Sequence, residues 1–418
     1  MKSFARNLLS TKLSLIVVCA AVVSASTMVL AQAGHLDRTF GANGIFTLSL
    51  ANSQANAVAL QSDGKIVVAG QLGNKSGLIR LNTTGSLDNT FGSGGVVVVN
   101  HFGGDINQVI VGMAIQSDGK IVAAATGVPQ GGQVARFNTN GTLDTTFGSN
   151  GIATLSLNAA LLALQTDGKI IVSGGGAVMA RLNTNGQPDT TFGTGGVAAL
   201  ADFGSSSIAL QADGKILIGS GGFPPLPVLN PLGAAGSVTR YNTNGSLDKT
   251  FGIFGQAAAT AAPSAIAVQS DGKILTAGAQ AGKVAVHGNT LGFGLARYNT
   301  DGSIDTTFGS HGGDVTTFPN TSLTGALALA LQSNGDIVAA GEAGNVTASA
   351  IFEAFALARY AATGKLDAAF GTGGRVTTSF GSNADAFITS IVLQSDGKIV
   401  VAGTNGGGSF EVARYLGQ

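Results

Sequence analysis

Carboxylates and histidines are the side chains through which this chain could move protons or hold a metal, and few of them are left over. The 418 residues carry 22 acidic and 22 basic side chains, 4 histidines and one cysteine. Seven aspartates and six more recur at fixed places in a repeat, as do seven arginines and six lysines. The acids outside those sets are Asp105, Asp202, Asp301, Asp314, Asp336, Asp385, Glu342, Glu353 and Glu411, and the histidines are His35, His101, His287 and His311. No two histidines stand at metal-binding spacing, and neither a Gly-x-Ser-x-Gly elbow nor a P-loop is present. The glycines at Gly174 to Gly176 belong to a loop and cradle no phosphate. The stretch NTNGSLD has asparagine where a calcium loop needs its early carboxylates. No cofactor, no metal and no catalytic residue is therefore expected.

What would position these residues is a scaffold repeated seven times. LQSDGKIVVAG at Leu60 returns as IQSDGKIVAAA, LQTDGKIIVSG, LQADGKILIGS, VQSDGKILTAG, LQSNGDIVAAG and LQSDGKIVVAG. A second block, typified by LDNTFG, supplies Asp37, Asp88, Asp144, Asp189, Asp248, Asp305 and Asp367. A third, typified by ARYN, supplies Arg80, Arg136, Arg181, Arg240, Arg297, Arg359 and Arg414.

Within one unit the apolar runs predict strands over Ile45–Leu50, Ala55–Gln61, Lys65–Gly70 and Leu78–Asn82. Asp-Gly between the second and third is a hairpin signal, because glycine takes the positive φ of a tight turn while aspartate bonds local amides. Four short antiparallel strands every 46 to 63 residues fit propeller blades better than solenoid coils, which are shorter and lack such hairpins. The repeats open on HLDRTFG at His35 and close on ARYLGQ, two halves of one junction. A closed ring needs such complementarity, so a single all-β, seven-bladed β-propeller of four-stranded antiparallel blades is expected over residues 34–418.

Six arginines precede a junction aspartate by eight residues: Arg80 and Asp88, Arg136 and Asp144, Arg181 and Asp189, Arg240 and Asp248, Arg297 and Asp305, Arg359 and Asp367. The spacing suggests ion pairs at the blade boundaries, with Arg414 and Asp37 closing the ring. The alternative is that the aspartates only cap turns and the arginines are solvated, which matters because exposed pairs contribute only about 0–1 kcal/mol.

Loop length separates the two faces of such a ring. The Asp-Gly hairpins and the junctions barely vary, whereas the connections from the third to the fourth strand as read here lengthen greatly in three consecutive units. Those insertions are GGFPPLPVLNPLG, AQAGKVAVHGNTLGFG and EAGNVTASAIFEAF. Loops on a rigid scaffold are where binding residues collect. Phe223, Leu226, Lys283, His287, Phe293, Glu342, Phe352 and Glu353 are the candidate contacts, unless these aromatics merely cover blade edges.

Lys2, Arg6 and Lys12, the apolar run Leu13–Val23 and the small residues ending in Ala31-Gln32-Ala33 have the layout of a secretory signal, so residues 1–33 are expected to be cleaved before Gly34. Cleavage would remove Cys19 and leave 19 basic against 22 acidic residues. That charge, with no basic cluster, argues against nucleic acid. No later apolar run reaches the roughly 18 residues of a membrane span. With 11% charged residues and 64 glycines, the composition fits strands buried on both faces and punctuated by turns.

RYNTNGSLDKTFG together with VQSDGKILTAG resembles the bacterial delta-60 repeat, a propeller-forming repeat of secreted proteins, from His35 to Gln418. The resemblance implies a β-propeller of largely uncharacterised function and carries no catalytic residue. The sixth unit departs from it with Asn334 and Asp336, and the fourth block with Pro188. The chain is thus expected to be a secreted or periplasmic monomer that serves as a non-enzymatic scaffold for an unknown protein or glycan partner. An extracellular hydrolase or lyase using Glu342, Glu353 or His287, and a structural envelope or matrix component, are the alternatives.

Overall fold

The structure is a computed structural model that describes residues 32–418 except 100–107, 127–130, 175, 203, 222–235, 283–289, 347–350 and 382–384, together with the backbone but not the side chains of 281, 282, 290, 346, 351 and 352. Residues 1–31, most of the expected signal peptide, lie outside the described residues. Among the described residues there are 28 strands and no helix, and they form seven four-stranded sheets. None is therefore a helix long and apolar enough to cross a membrane.

Blade one pairs Gln54–Leu60, Ile66–Leu72, Lys75–Leu81 and Val96–Val99 in that order, every pair antiparallel. Blades two to six repeat this over 109–154, 161–199, 205–259, 265–316 and 323–378. The first strand of each blade touches its counterparts on either side, all the way round, so the ring of first strands is innermost. Blade seven joins the two ends of the described chain: Phe387–Leu393, Ile399–Thr404 and Phe410–Tyr415 take Ile45–Leu48 as their outermost strand, in register from Ile45 opposite Ala413 to Leu48 opposite Phe410. Each unit's first strand, as read from the sequence, is thus the outermost strand of the preceding blade. The long loop after the third strand folds that segment back against its own blade.

The Asp-Gly turns show why the hairpin repeats. Gly64 holds φ at +82°, Asp63 Oδ1 accepts from the Lys65 amide at 3.1 Å, and Gln61 and Lys65 close the turn through their backbones. Asn or Asp caps such a turn and glycine supplies the φ that other residues resist.

The core lies between blades. Val67, Ala69, Leu78 and Phe91 of the first unit pack on Ile121, Ala123, Ala125 and Phe137 of the second, all buried. Burying a phenyl ring such as that of Phe91 stabilises by about 1.5–3 kcal/mol. Truncating it to alanine would cost about 3–5 kcal/mol, because the facing sheets could close only part of the cavity. Sheets covered on both sides in this way account for the scarcity of charge in the sequence.

Candidate functional site

The two ends of the ring partner their carboxylates differently. One end bears the Asp-Gly hairpins and the blade junctions, and there every described junction aspartate meets an arginine. Arg80 Nε donates to Asp88 Oδ2 at 2.8 Å, and Thr90 donates to Asp88 Oδ1 through its amide at 3.0 Å and its hydroxyl at 2.7 Å. The Arg80 guanidinium lies over the Phe91 ring, 4.6 Å from its centroid, and also donates to the carbonyl of Thr139 in blade two. The same bridge to the following blade runs from Arg136 to Thr184, Arg181 to Thr243, Arg240 to Thr300, Arg297 to Ala362, Arg359 to Gly417 and Arg414 to Thr83. Arg414 Nε reaches Asp37 Oδ2 at 2.9 Å, which joins the two ends of the ring.

These are not solvated pairs, since the Arg80 and Asp88 side chains are 7% and 6% exposed. The hairpin lysine is a third member: Lys65 Nζ lies 2.9 Å from Asp88 Oδ2. Burial alone would raise the Asp88 pKa. Hydrogen bonds from Lys65 and Thr90 and the charge of Arg80 outweigh it and hold the carboxyl well below the usual range. Asp144, Asp189, Asp248 and Asp305 are held down in the same manner, and Asp37 too falls below its ordinary value. The sequence places the lysine in a turn, and that role hid its second one. The constant phenylalanine three residues after each aspartate signals the arginine that stacks on it, not the lysine.

The sixth junction is poorer. Asp336 stands where the lysine should be and Ala369 where the threonine should be. Arg359 still pairs with Asp367 at 2.8 Å, but the aspartate side chain is 24% exposed.

The opposite end carries the extended hairpins. In blade six, Ile337–Val346 and Ile351–Tyr360 run ten residues each, against seven in each of the corresponding strands of blade one. Glu342 pairs with Phe355 and Gly344 with Glu353, so the two glutamates stand diagonally on one face of this hairpin. Asp385, in the connection leading into blade seven, bridges to Glu353 along the backbone, and their side chains share a hydrogen bond. Among the described residues no lysine, arginine or histidine forms an ion pair with either glutamate. Burial, then the bond to Asp385, then the charges of Glu342 and Asp385 push Glu353 up to about 8. Burial and the Asp385 charge also raise Glu342. A carboxyl group that keeps its proton at neutral pH can donate a hydrogen bond or a proton.

Glu342 and Glu353 are thus together, and Asp385, 32 residues further on, is the member that sequence spacing could not supply. Phe293 is no surface contact: it is fully buried, edge-on to Phe318 at 5.0 Å between centroids. Its strand continues the blade core, so its ring covers the sheet. Phe223, Leu226, Lys283 and His287 lie outside the described residues, as does the side chain of Phe352. Of the other spare acids, Asp202 is buried and accepts from Ser237, Thr239 and Gln256. Glu411 is fully buried between Thr47 and Asn405, and burial, partly offset by the Thr47 bond, pushes it up to about 7. No group of three or more metal-ligating side chains suited to an ion occurs among the described residues.

With these features in place, the chain can be stated to be a β-propeller repeat protein. Six stretches, residues 61–91, 116–147, 165–192, 269–308, 332–370 and 394–417, match the family described as "Domain of unknown function (DUF5122) beta-propeller". No curated protein matches the sequence significantly. Among solved structures, virginiamycin B lyase from Staphylococcus aureus is similar at 13% identity, with 89% of this chain and 98% of that chain covered and a TM-score of 0.53. A catalytically inactive form of the same lyase with Quinupristin gives 13% identity, the same coverage and a TM-score of 0.51. At such identity the likeness is one of fold.

Proposed function

We propose that this protein is a secreted or periplasmic binding scaffold of the delta-60 repeat type, without enzymatic activity, that takes a protein or glycan partner on the face of the extended hairpins. Residues 1–33 direct export and are removed, so amino-terminal sequencing of the exported protein begins at Gly34. The observation that carries the reading is the blade-six hairpin, which is longer than its blade-one counterpart and carries the half-buried Glu342 beside the buried Glu353, with no basic partner among the described residues. Rigid scaffolds concentrate recognition on such variable loops.

The test is a binding screen against glycans, peptides and cell-envelope fractions. It compares the full chain with a variant whose blade-six hairpin is cut to the length found in blade one. Binding that disappears in a folded variant supports the reading, and binding that persists moves the surface elsewhere. The bond between Glu353 and Asp385 favours a second reading, a hydrolase or lyase with Glu353 as general acid. Hydrolysis or elimination by the full chain that is abolished in Glu353→Gln would select it.

A further inference from the structure

At the other end of the ring, between the hairpins of blades one and two, lies a cleft of about 430 Å³, within the size range of small-molecule sites. We propose that this cleft and its counterparts around the ring bind a neutral, polyhydroxylated polymer, a glycan chain, through hydroxyl, amide and carboxylate groups supplied by adjacent blades.

The wall has no aliphatic or aromatic side chain. Blade one contributes Ser62, Asp63 and Thr90, and blade two Ser117, Asp118 and Asn140, over a floor that includes Arg80. Arg80 has its donors engaged by Asp88, Thr90, Gln61 and the Thr139 carbonyl, so it supports the cleft without offering a free charge. The charges around the cleft balance. Lys65 lies 2.9 Å from Asp88 and 3.7 Å from Asp63, and Lys120 lies 2.9 Å from Asp144 and 3.9 Å from Asp118. One arginine and one lysine thus face two aspartates in each of these two units, which leaves little net field to hold an ion.

What remains is hydrogen-bonding capacity. The Asp63 and Asp118 side chains are 55% and 56% exposed, and Ser62 and Ser117 are exposed beside them. Carboxylates accept from sugar hydroxyls, while serine, threonine and asparagine side chains both donate and accept.

With no aromatic platform a single cleft would bind weakly, and repetition answers that. Thr166 and Asp167, Ser270 and Asp271, and Ser395 and Asp396 repeat the hairpin pair, and Asn185 and Asn244 repeat Asn140. Linked weak sites on one polymer raise the apparent affinity by roughly 10²-fold or more. Around the sixth unit, Asn334, Ala362 and Ala369 remove a carboxylate and two hydroxyls, so binding there is weakest.

The experiment titrates the full chain with maltohexaose, cellohexaose and chitohexaose, with spermine and calcium chloride as charged probes, by calorimetry and by NMR. A variant carrying Ser62→Tyr, Ser117→Tyr, Thr166→Tyr, Ser270→Tyr, Ser333→Tyr and Ser395→Tyr fills the clefts at exposed positions. If that variant does not fold, Ser117→Tyr alone is read through the number of sites and the resonances around blades one and two. A neutral oligosaccharide that binds the native chain and loses at least about tenfold in the filled variant is the expected result. Binding of spermine or calcium alone, binding indifferent to the tyrosines, or no binding up to about 10 mM would each overturn the proposal. Shortening the blade-six hairpin leaves these clefts untouched, so this inference and the proposed function fail separately.

Discussion

At one end of the ring, buried junction aspartates are surrounded by cations and stay ionised; at the other end Glu353, and at the closing seam Glu411, meet other carboxyls, a hydroxyl or an amide and are pushed up to about 8 and about 7. Asp88 sits under Arg80 and Lys65, whereas Glu353 faces Asp385 and Glu342. The residue type is nearly the same and the depth of burial comparable. The difference lies in what each blade places next to the carboxyl. A junction aspartate is therefore structural because its counter-ions are built into the repeat, whereas Glu353 has none among the described residues.

The largest effect should come from removing a cation at the regular end. Arg80→Ala leaves Asp88 buried beside one lysine and should cost about 3–5 kcal/mol in denaturant unfolding. Arg359→Ala, whose aspartate already reaches water, should cost clearly less. Equal losses would break the distinction between the regular and the sixth junction.

The pH dependence comes next. Asp88 and its equivalents have folded pKa values below the unfolded value near 3.9, so their contribution is present above pH ~4 and is lost as pH falls below it. Glu353 at about 8 and Glu411 at about 7 have raised values, so the stability they permit is full below pH ~4.3 and declines as pH rises toward their folded values. Thermal unfolding should therefore show maximum stability near pH 4–5. Glu411→Gln, which keeps partners in Thr47 and Asn405, should flatten the decline between pH 5 and 8 by an amount on the order of 1 kcal/mol.

Smaller effects test how uniform the regular end is. Phe254 holds φ at +54° and is 72% exposed, at a turn position where the other units have Asn43, Gly94, Asn150, Gly195, His311 and Gly373. A bulky residue in this left-handed conformation costs about 1–2 kcal/mol, so Phe254→Asn should stabilise by about 1 kcal/mol. The double change Asp336→Lys with Ala369→Thr restores the missing partners of Asp367 and should add about 0.5–1 kcal/mol. No change in melting temperature would mean that the sixth junction is already satisfied in another way.

The ring, its seven blades and their four strands were legible because turn chemistry is local: Asp-Gly and the junction blocks fix where each strand begins and ends. The spacing of eight between Arg80 and Asp88 is likewise visible in the sequence, but the lysine of the preceding Asp-Gly hairpin is not readable as a partner until that hairpin folds over the junction. The blade grouping shifted by one strand, since nothing local says whether Ile45–Leu48 pairs forward or back. Phe293 read as a loop aromatic because an extended hairpin looks like an insertion until its strands are paired. The meeting of Glu353 with Asp385 depends on how blade six leans on blade seven, which no spacing encodes.

The closing blade also sets an order of events in time. Thr47 bonds Glu411 across 364 residues, so the first strand has no partner until the last one has been synthesised. At about 5–20 residues per second, that edge would wait roughly 20–70 s. During that interval a short row of unpaired amides and carbonyls stands open to any passing strand. A factor that shields Ile45–Leu48 while the chain grows, or delivery of the whole chain before folding begins, would keep that edge from pairing with the wrong strand.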